Sequence, residues 1–334
     1  MTAKPVVYVT REIPEAGLER LEGEVEPHVR DAQLPPDRAE LLEDLERLEP
    51  DGLLCLLTEE IDGEVMDASP NLDVVSTMSV GYDHIDMAAA AERGLAVGHT
   101  PGVLAETTAD FAWALLLTAA RRTVEGHGYV EADEWETWGP TLLTGPDVHD
   151  ATLGIVGLGD IGSRVARRAA GFDVDVLYTG RSRHEDVESD LETRGIDVAY
   201  VDLKDLLERS GFVSIHTPLT EATRHLIGEP ELRRMKDGAI LVNTSRGPTV
   251  DTDALDAALE HGWIERAALD VTDPEPLPGD HELLRHAPER LVVAPHIGSA
   301  SIQTRNEMAT MAAENLKAGL RDAALPNSVE DRTE

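Results

Sequence analysis

At 334 residues the chain is long enough for about two domains, and 41% hydrophobic with 28% charged residues excludes a miniprotein and a disordered linker. Twenty-nine Lys and Arg against 65 Asp and Glu leave a formal charge of −36, which argues against nucleic acid as a partner. No run of about 18 apolar residues is present, so no membrane partner is expected, and the start MTAKPVVYVT does not read as a signal peptide.

Over the first hundred residues, strand-like runs at Val6 to Thr10, Leu53 to Thr58, Leu72 to Met78 and Leu95 to Gly98 alternate with helical stretches. That rhythm predicts a parallel sheet wound with helices. Thr100-Pro101-Gly102 interrupts it, and Thr107 with Asp110 three residues later resembles a capping box opening a helix from Asp110 to Arg122. This helix is apolar on nearly every face. A place between two domains or two subunits is expected for it, and a homodimer is the economical assembly.

From Asp150 a second alternation begins, with strands expected at Thr152 to Gly157, Val174 to Tyr178, Val213 to His216, Ala239 to Thr244, Ala267 to Val271 and Leu291 to Ala294. Six such strands make a Rossmann-sized sheet. A last helix, Ser301 to Leu320, follows that sheet and is expected to return to the first domain, while the tail after Leu325 is expected to fray.

Gly157-Leu158-Gly159-Asp160-Ile161-Gly162 follows an apolar strand and opens a helical stretch from Ser163 to Gly171. The first glycine permits the tight turn, the second lets a pyrophosphate approach the backbone, and the third lets helix and strand come close. About twenty residues on, a chain that prefers NAD would carry a carboxylate at the strand end. Here the strand ends Tyr178-Thr179-Gly180-Arg181-Ser182-Arg183. Arg181, Ser182 and Arg183 suit a 2′-phosphate, so NADP(H) is the preferred cofactor and NAD(H) remains open. The bland alternative pairs these arginines with Glu185 or Asp186.

Arg246, Glu275 and His296 each follow an apolar strand, and ligands of open α/β sheets bind outside the carboxyl ends of strands. An arginine that grips a carboxylate, a histidine that moves a proton and a carboxylate that orients it suit interconversion of 2-keto and 2-hydroxy acids. No spaced histidine cluster of the HExxH kind occurs, so no metal is expected.

The acidic residues are spread through both halves of the chain, and Arg outnumbers Lys 25 to 4. Such a surface repels itself in dilute buffer, whereas at molar salt the Debye length falls to about 3 Å. A salt-rich cytoplasm, as in a halophilic archaeon, is the expected setting. The single cysteine, Cys55, reads as a small core residue.

VGLGDIG, HTPLT, LVNTSRG, DVTDPEP and PHIGS, in this order, resemble the D-isomer-specific 2-hydroxyacid dehydrogenases over essentially the whole chain. Leu54-Cys55-Leu56-Leu57, the stretch Ser76 to Ile85 and Tyr178-Thr179-Gly180-Arg181 are most similar to the glyoxylate/hydroxypyruvate reductase branch. The resemblance implies two doubly wound α/β domains with parallel sheets. A Rossmann cofactor domain over 101–297 would be inserted in a flavodoxin-like substrate domain formed by 1–100 and 298–334.

It implies further that Arg246 holds the substrate carboxylate and carbonyl, that Glu275 hydrogen-bonds His296, and that His296 is the general acid/base. Val80 and Gly81 would bind the substrate carboxylate through backbone amides, with Leu56 and Trp138 also on the substrate side. Asp270 matches the residue near the nicotinamide carboxamide. Thr108, Thr217, Pro218, Thr244, Ser245 and Gly298 match further cofactor contacts. The expected reaction is NADP(H)-dependent reduction of glyoxylate or hydroxypyruvate, a small 2-keto acid, to the D-2-hydroxy acid.

Two departures stand out. The segment between Glu275 and His296 contains Pro278, Gly279, Asp280 and His281 and is slightly long, and Leu142 stands where reductases of this branch often carry a third Trp after Trp135 and Trp138. A dehydrogenase of bulkier keto acids and a corepressor-like dinucleotide-sensing protein are the alternatives. Formate-oxidising relatives carry Gln at the place of Glu275.

Overall fold

The computed structural model describes residues 3–329. The chain divides into two units, one from Met1–Leu104 and Ala300–Glu334, the other from Ala105–Ser299. The first contains strands β1 (Val6–Val9), β2 (Glu26–Val29), β3 (Gly52–Cys55), β4 (Val74–Thr77) and β5 (Ala96–Gly98). Helices α1 (Glu15–Leu21), α2 (Arg38–Leu48), α3 (Gly63–Asp67) and α4 (Met87–Arg93) connect them. The second contains α5 (Ala105–Arg121), α6 (Thr123–Glu131), β6 (Thr152–Val156), α7 (Asp160–Arg168), β7 (Asp175–Thr179), α8 (Glu185–Thr193) and β8 (Val198–Tyr200). It continues through α9 (Leu203–Arg209), β9 (Phe212–Ile215), α10 (Glu229–Leu232), β10 (Ile240–Asn243), α11 (Thr252–His261), β11 (Arg266–Leu269) and β12 (Leu291–Val293). The chain then returns to the first unit with α12 (Ile302–Gly319).

The first sheet is parallel throughout, in the order β2-β1-β3-β4-β5. Every residue of β3 and β4 is buried, as the continuous apolar runs require when helices cover both faces. On one face Leu41 and Leu45 of α2, Val65 of α3 and Ala90 of α4 meet Leu53 and Val75. On the other, Met308, Ala312 and Leu316 of α12 meet Val7, Leu54 and Val74. The sequence reading misses β2, an edge strand whose half-exposed Glu26-Pro27-His28-Val29 lacks an apolar run. It also expects a frayed tail after Leu325. Instead Ser328 bridges Gly98, and the Val329 amide donates to Val97 at 2.8 Å. Residues 330–334 lie outside the described residues.

The second sheet is parallel in the order β12-β11-β10-β9-β6-β7-β8, so the winding reverses between β6 and β9. Seven strands are present where six are expected. The extra one, β8, is a three-residue edge strand with no fully buried position. Helix α5 begins at Ala105 rather than Asp110, which puts Thr107 inside its first turn and removes the expected capping box. One apolar face is buried by its own unit, where Ala112, Trp113 and Leu116 join Ile240, Val242 and Ala268 in one core, while Phe111 and Leu117 stay half-buried and Ala114 is exposed. The Trp113 indole donates to the Val165 carbonyl at 2.9 Å. Among the described residues, no helix is long and apolar enough to cross a membrane.

Candidate functional site

Strands β10, β11 and β12 are neighbours, and the expected reactive side chains lie just beyond their carboxyl ends. Pairing continues past the strands: the Asp270 amide donates to Asn243 at 2.9 Å, Ala294 to Leu269 at 2.8 Å, and His296 to Asp270 at 2.9 Å. With parallel strands about 4.8 Å apart, Arg246, Asp270 and His296 are delivered to the same edge of the sheet.

His296 Nδ1 stands 2.6 Å from Glu275 Oε1, and Glu275 Oε2 accepts the Thr272 amide at 3.3 Å. A carboxylate on Nδ1 sets the tautomer and leaves Nε2 to exchange a proton. The His296 backbone has φ of 55°, in the left-handed region that L-residues with a side chain seldom enter. Asp270 holds it there, since Oδ1 accepts the Ile297 amide and Oδ2 the Gly298 amide, both at 2.7 Å. Burial pushes the Asp270 carboxyl above the usual carboxylate range, and the two amide donors pull the other way. A Cβ on Gly298 would lie 2.9 Å from Asp270 Oδ2 and 3.3 Å from Thr108 Cγ2, which places Thr108 beside this turn.

Asn243, the last residue of β10 and only 1% exposed, organises the turn that carries Arg246. Its Oδ1 accepts the Ser245 amide at 3.0 Å and the Ser245 hydroxyl at 2.8 Å. Its Nδ2 donates to the Arg246 carbonyl at 3.0 Å and to the Thr249 hydroxyl at 3.2 Å. Sequence reasoning passed over Asn243, although a polar residue closing an otherwise apolar strand was the available signal.

The glycine turn follows β6. Gly157 has φ of 98°, and a Cβ on Gly162 would come within 2.0 Å of the Gly157 carbonyl, so the turn and helix close only with glycine at both places. Gly159 caps α7 without a side-chain hydrogen bond, and a Cβ there would meet no protein atom within 4 Å. A helix start without a side-chain cap, beside open space at Gly159, fits a pyrophosphate. Helix α7 starts at Asp160 rather than Ser163, so its positive end lies at the glycines themselves. Leu158 is buried beneath the turn, and Asp160 is exposed and pairs with Arg164.

Across the reversal, β9 delivers His216, Thr217 and Pro218. The Thr217 hydroxyl is buried without a hydrogen-bond partner among the described residues, an unsatisfied group just beyond the carboxyl end of β9. His216 contacts the Ser214 hydroxyl at 2.8 Å and the Thr244 hydroxyl at 3.5 Å. Desolvation pushes it down to about 3, so it is neutral at working pH. The Pro218 carbonyl accepts the Thr223 hydroxyl at 2.6 Å.

Beyond β7, Arg181 and Ser182 are exposed and make no hydrogen bond or ion pair among the described residues. Arg183 departs from the expectation: its guanidinium turns back onto Glu188, with Nη2 2.7 Å from Oε2. Trp138 is 78% exposed. In the first unit, Leu56 follows β3 and donates its amide to Glu59 Oε2 at 2.6 Å. The Val80 carbonyl lies 2.9 Å from His99 Nδ1, and the Gly81 carbonyl accepts the Ser79 hydroxyl at 2.6 Å.

Residues 113–298 match the NAD binding domain of the D-isomer specific 2-hydroxyacid dehydrogenases. The chain is 51% identical over 327 residues to a glyoxylate reductase of Korarchaeum cryptofilum, covering 98% of this chain and 96% of that protein. A Thermus thermophilus crystal structure superposes with a TM-score of 0.89 at 45% identity, covering 97% of this chain and all of the other. An NADPH-dependent glyoxylate/hydroxypyruvate reductase from Sinorhizobium meliloti superposes at 0.83 with 31% identity, covering 98% of both chains. The chain belongs to the D-isomer-specific 2-hydroxyacid dehydrogenases, oxidoreductases that work with a nicotinamide dinucleotide.

Proposed function

We propose that this chain reduces glyoxylate or hydroxypyruvate to glycolate or D-glycerate with NADP(H), in a salt-rich cytoplasm. The observation that carries the reading is the 2.6 Å pair of His296 and Glu275 beyond neighbouring strand ends that also carry Arg246. The relatives that bear the names glyoxylate reductase and glyoxylate/hydroxypyruvate reductase support the substrate class.

In this reading the amides of the Gly157–Gly162 turn, with Leu158, Asp160 and Ile161, hold the pyrophosphate. Thr108, Thr217, Pro218, Thr244, Ser245, Asp270 and Gly298 flank the rest of the cofactor. Arg181 and Ser182 meet the 2′-phosphate. When bound, the reduced nicotinamide supplies the hydride that arrives at the keto carbon. Arg246 grips the substrate carboxylate through its guanidinium fork and polarises the carbonyl. His296 donates the proton from Nε2 to the keto oxygen, and Glu275 stabilises the imidazolium before transfer. In the opposite direction His296 accepts the hydroxyl proton. Val80 and Gly81, whose amides form no hydrogen bond among the described residues, are assigned to the substrate carboxylate, with Leu56 and Trp138 on the substrate side.

The assembly is proposed as a homodimer. Helix α6 buries none of its residues, and Val130, Trp135 and Trp138 are exposed around it. Apolar groups gathered on a surface mark a place for a partner.

The test is NADPH oxidation in about 2 M KCl, where screening is strong. Glyoxylate, hydroxypyruvate, pyruvate and a branched keto acid are compared, and the series is repeated with NADH. Turnover favouring NADPH and the two small acids is expected. Preference for the branched acid would overturn the substrate class, and equal use of NADH would overturn the cofactor preference.

A further inference from the structure

The loop after β7 carries two arginines at the place proposed for the adenosine 2′-phosphate, yet the structure uses them differently. Arg183, itself exposed, is committed to Glu188: Nε lies 2.9 Å from Glu188 Oε1 and 3.0 Å from Oε2, and Nη2 completes the fork at 2.7 Å. Glu188, in the first turn of α8, is 6% exposed. Its Oε1 also accepts the hydroxyl of Tyr178 at 2.5 Å, and that hydroxyl accepts the His184 amide at 2.9 Å. The other end of the loop is tied as well, because the Tyr200 hydroxyl donates to the Gly180 carbonyl at 3.0 Å. Between these ties, Arg181 and Ser182 form an out-turned tip without hydrogen bonds among the described residues.

We propose that Glu188 is a positioning residue for cofactor specificity: by holding Arg183 and Tyr178 it fixes the β7–α8 loop so that Arg181 and Ser182, and not Arg183, meet the 2′-phosphate. The inference rests on the NADP(H) reading above. Two physical facts support it. A carboxylate this buried is satisfied only while Arg183 and Tyr178 both donate to it, so moving Arg183 to a phosphate would strand an uncompensated charge. A short loop tied at both ends loses little further freedom on binding, so its outward groups are set for the ligand in advance.

The two possible roles of Arg183 predict opposite signs for Glu188→Gln, which keeps the side chain's size and removes its charge. If Glu188 fixes the loop, the variant binds NADPH about fivefold to tenfold more weakly, the scale of one ordinary net hydrogen bond, while NADH binding changes less than about twofold. If Arg183 is itself the phosphate ligand and Glu188 holds it back, the variant binds NADPH more tightly. The readout is equilibrium titration of NADPH and NADH by fluorescence at molar KCl without keto acid, with KM for both cofactors measured beside it. Tighter NADPH binding, or an unchanged ratio of the two affinities in a folded variant, overturns the proposal. Should Glu188→Gln fail to fold, Tyr178→Phe keeps the Arg183 pair and removes the hydroxyl joining Glu188 to His184. The same fall in NADPH preference is expected, and an unchanged ratio overturns the proposal there too. A wild type that binds both cofactors alike refutes the NADP(H) reading and this inference with it, whereas a wild-type NADPH preference that survives in the variants refutes the inference alone.

Discussion

Glu275 Oε1 and His296 Nδ1 lie 2.6 Å apart, and the histidine that the carboxylate orients has a backbone already bent to φ of 55°. A left-handed conformation at a residue with a Cβ persists only where its surroundings over-determine it. Here the Asp270 main chain and both of its carboxylate oxygens supply that constraint, and Glu275 aims the imidazole through Nδ1.

The first prediction concerns this pair. His296→Ala is expected to lower kcat by about 10²-fold to 10⁴-fold, the usual worth of a positioned general acid, with the NADPH dissociation constant close to that of the wild type. Glu275→Gln keeps a hydrogen bond and loses the charge, so its kcat falls less. Stopped-flow turnover with parallel cofactor titration checks both, and joint loss of turnover and cofactor binding in His296→Ala would contradict the assigned role.

The glycine turn permits a paired test. Gly162→Ala places a Cβ 2.0 Å from the Gly157 carbonyl, so it is expected to cost about 1–3 kcal/mol of stability together with cofactor binding. Gly159→Ala meets no protein atom, so it should fold with an unchanged Tm and yet bind NADPH poorly, because its methyl fills the space left for the pyrophosphate. Thermal unfolding and titration of the two variants side by side separate the effects.

Asn243→Ala removes four hydrogen bonds from the turn that carries Arg246. A loss of about 1–3 kcal/mol per stranded buried group is expected, as is a rise in KM for glyoxylate larger than the fall in NADPH affinity. Steady-state kinetics with both ligands varied reads the difference. Equal damage to both constants would mean that Asn243 supports the sheet and not the arginine.

Stability toward acid should depend on Glu188. Arg183 holds its carboxyl below the usual carboxylate range, so its stabilising contribution is complete above about pH 4.3, the unfolded value, and is lost as pH falls through the lower folded value. The stability gap between wild type and Glu188→Gln should therefore be constant near neutrality and close in acid. Chemical unfolding at several pH values in molar KCl measures it, and a gap independent of pH down to acid unfolding would contradict the ion pair.

Salt should act on the whole molecule. With a formal charge of −36, both NADPH and the keto acid approach as anions against repulsion, and the fold repels itself. Activity and Tm are expected to rise with KCl into the molar range, where the Debye length is about 3 Å. Full activity and an unchanged Tm in dilute buffer would remove the argument for a salt-rich cytoplasm.

Local patterns made much of the molecule legible from sequence. The buried strands announce themselves as apolar runs, because a parallel sheet covered on both faces demands them, and Ser301 marks the start of α12 by capping the Thr304 amide. The glycine spacing is equally local, since one turn and one helix entrance impose it within six residues. Edge strands β2 and β8 escaped because a strand open on one side needs no continuous apolar run.

Sequence by itself determined which residues could carry the chemistry and in what order along the sheets they come. Only the tertiary structure decided which polar group meets which. Arg183 had three carboxylates within reach along the chain, and it takes Glu188 because that carboxylate is anchored in the core by Tyr178, while Glu185 and Asp186 face solvent. Helix α5 is apolar on nearly every face, and only the fold shows which face meets β10 and β11, where Ala112, Trp113 and Leu116 join Ile240, Val242 and Ala268. Burial and hydrogen-bond geometry act between residues far apart in sequence, and neither spacing nor composition encodes which distant group will satisfy a buried charge.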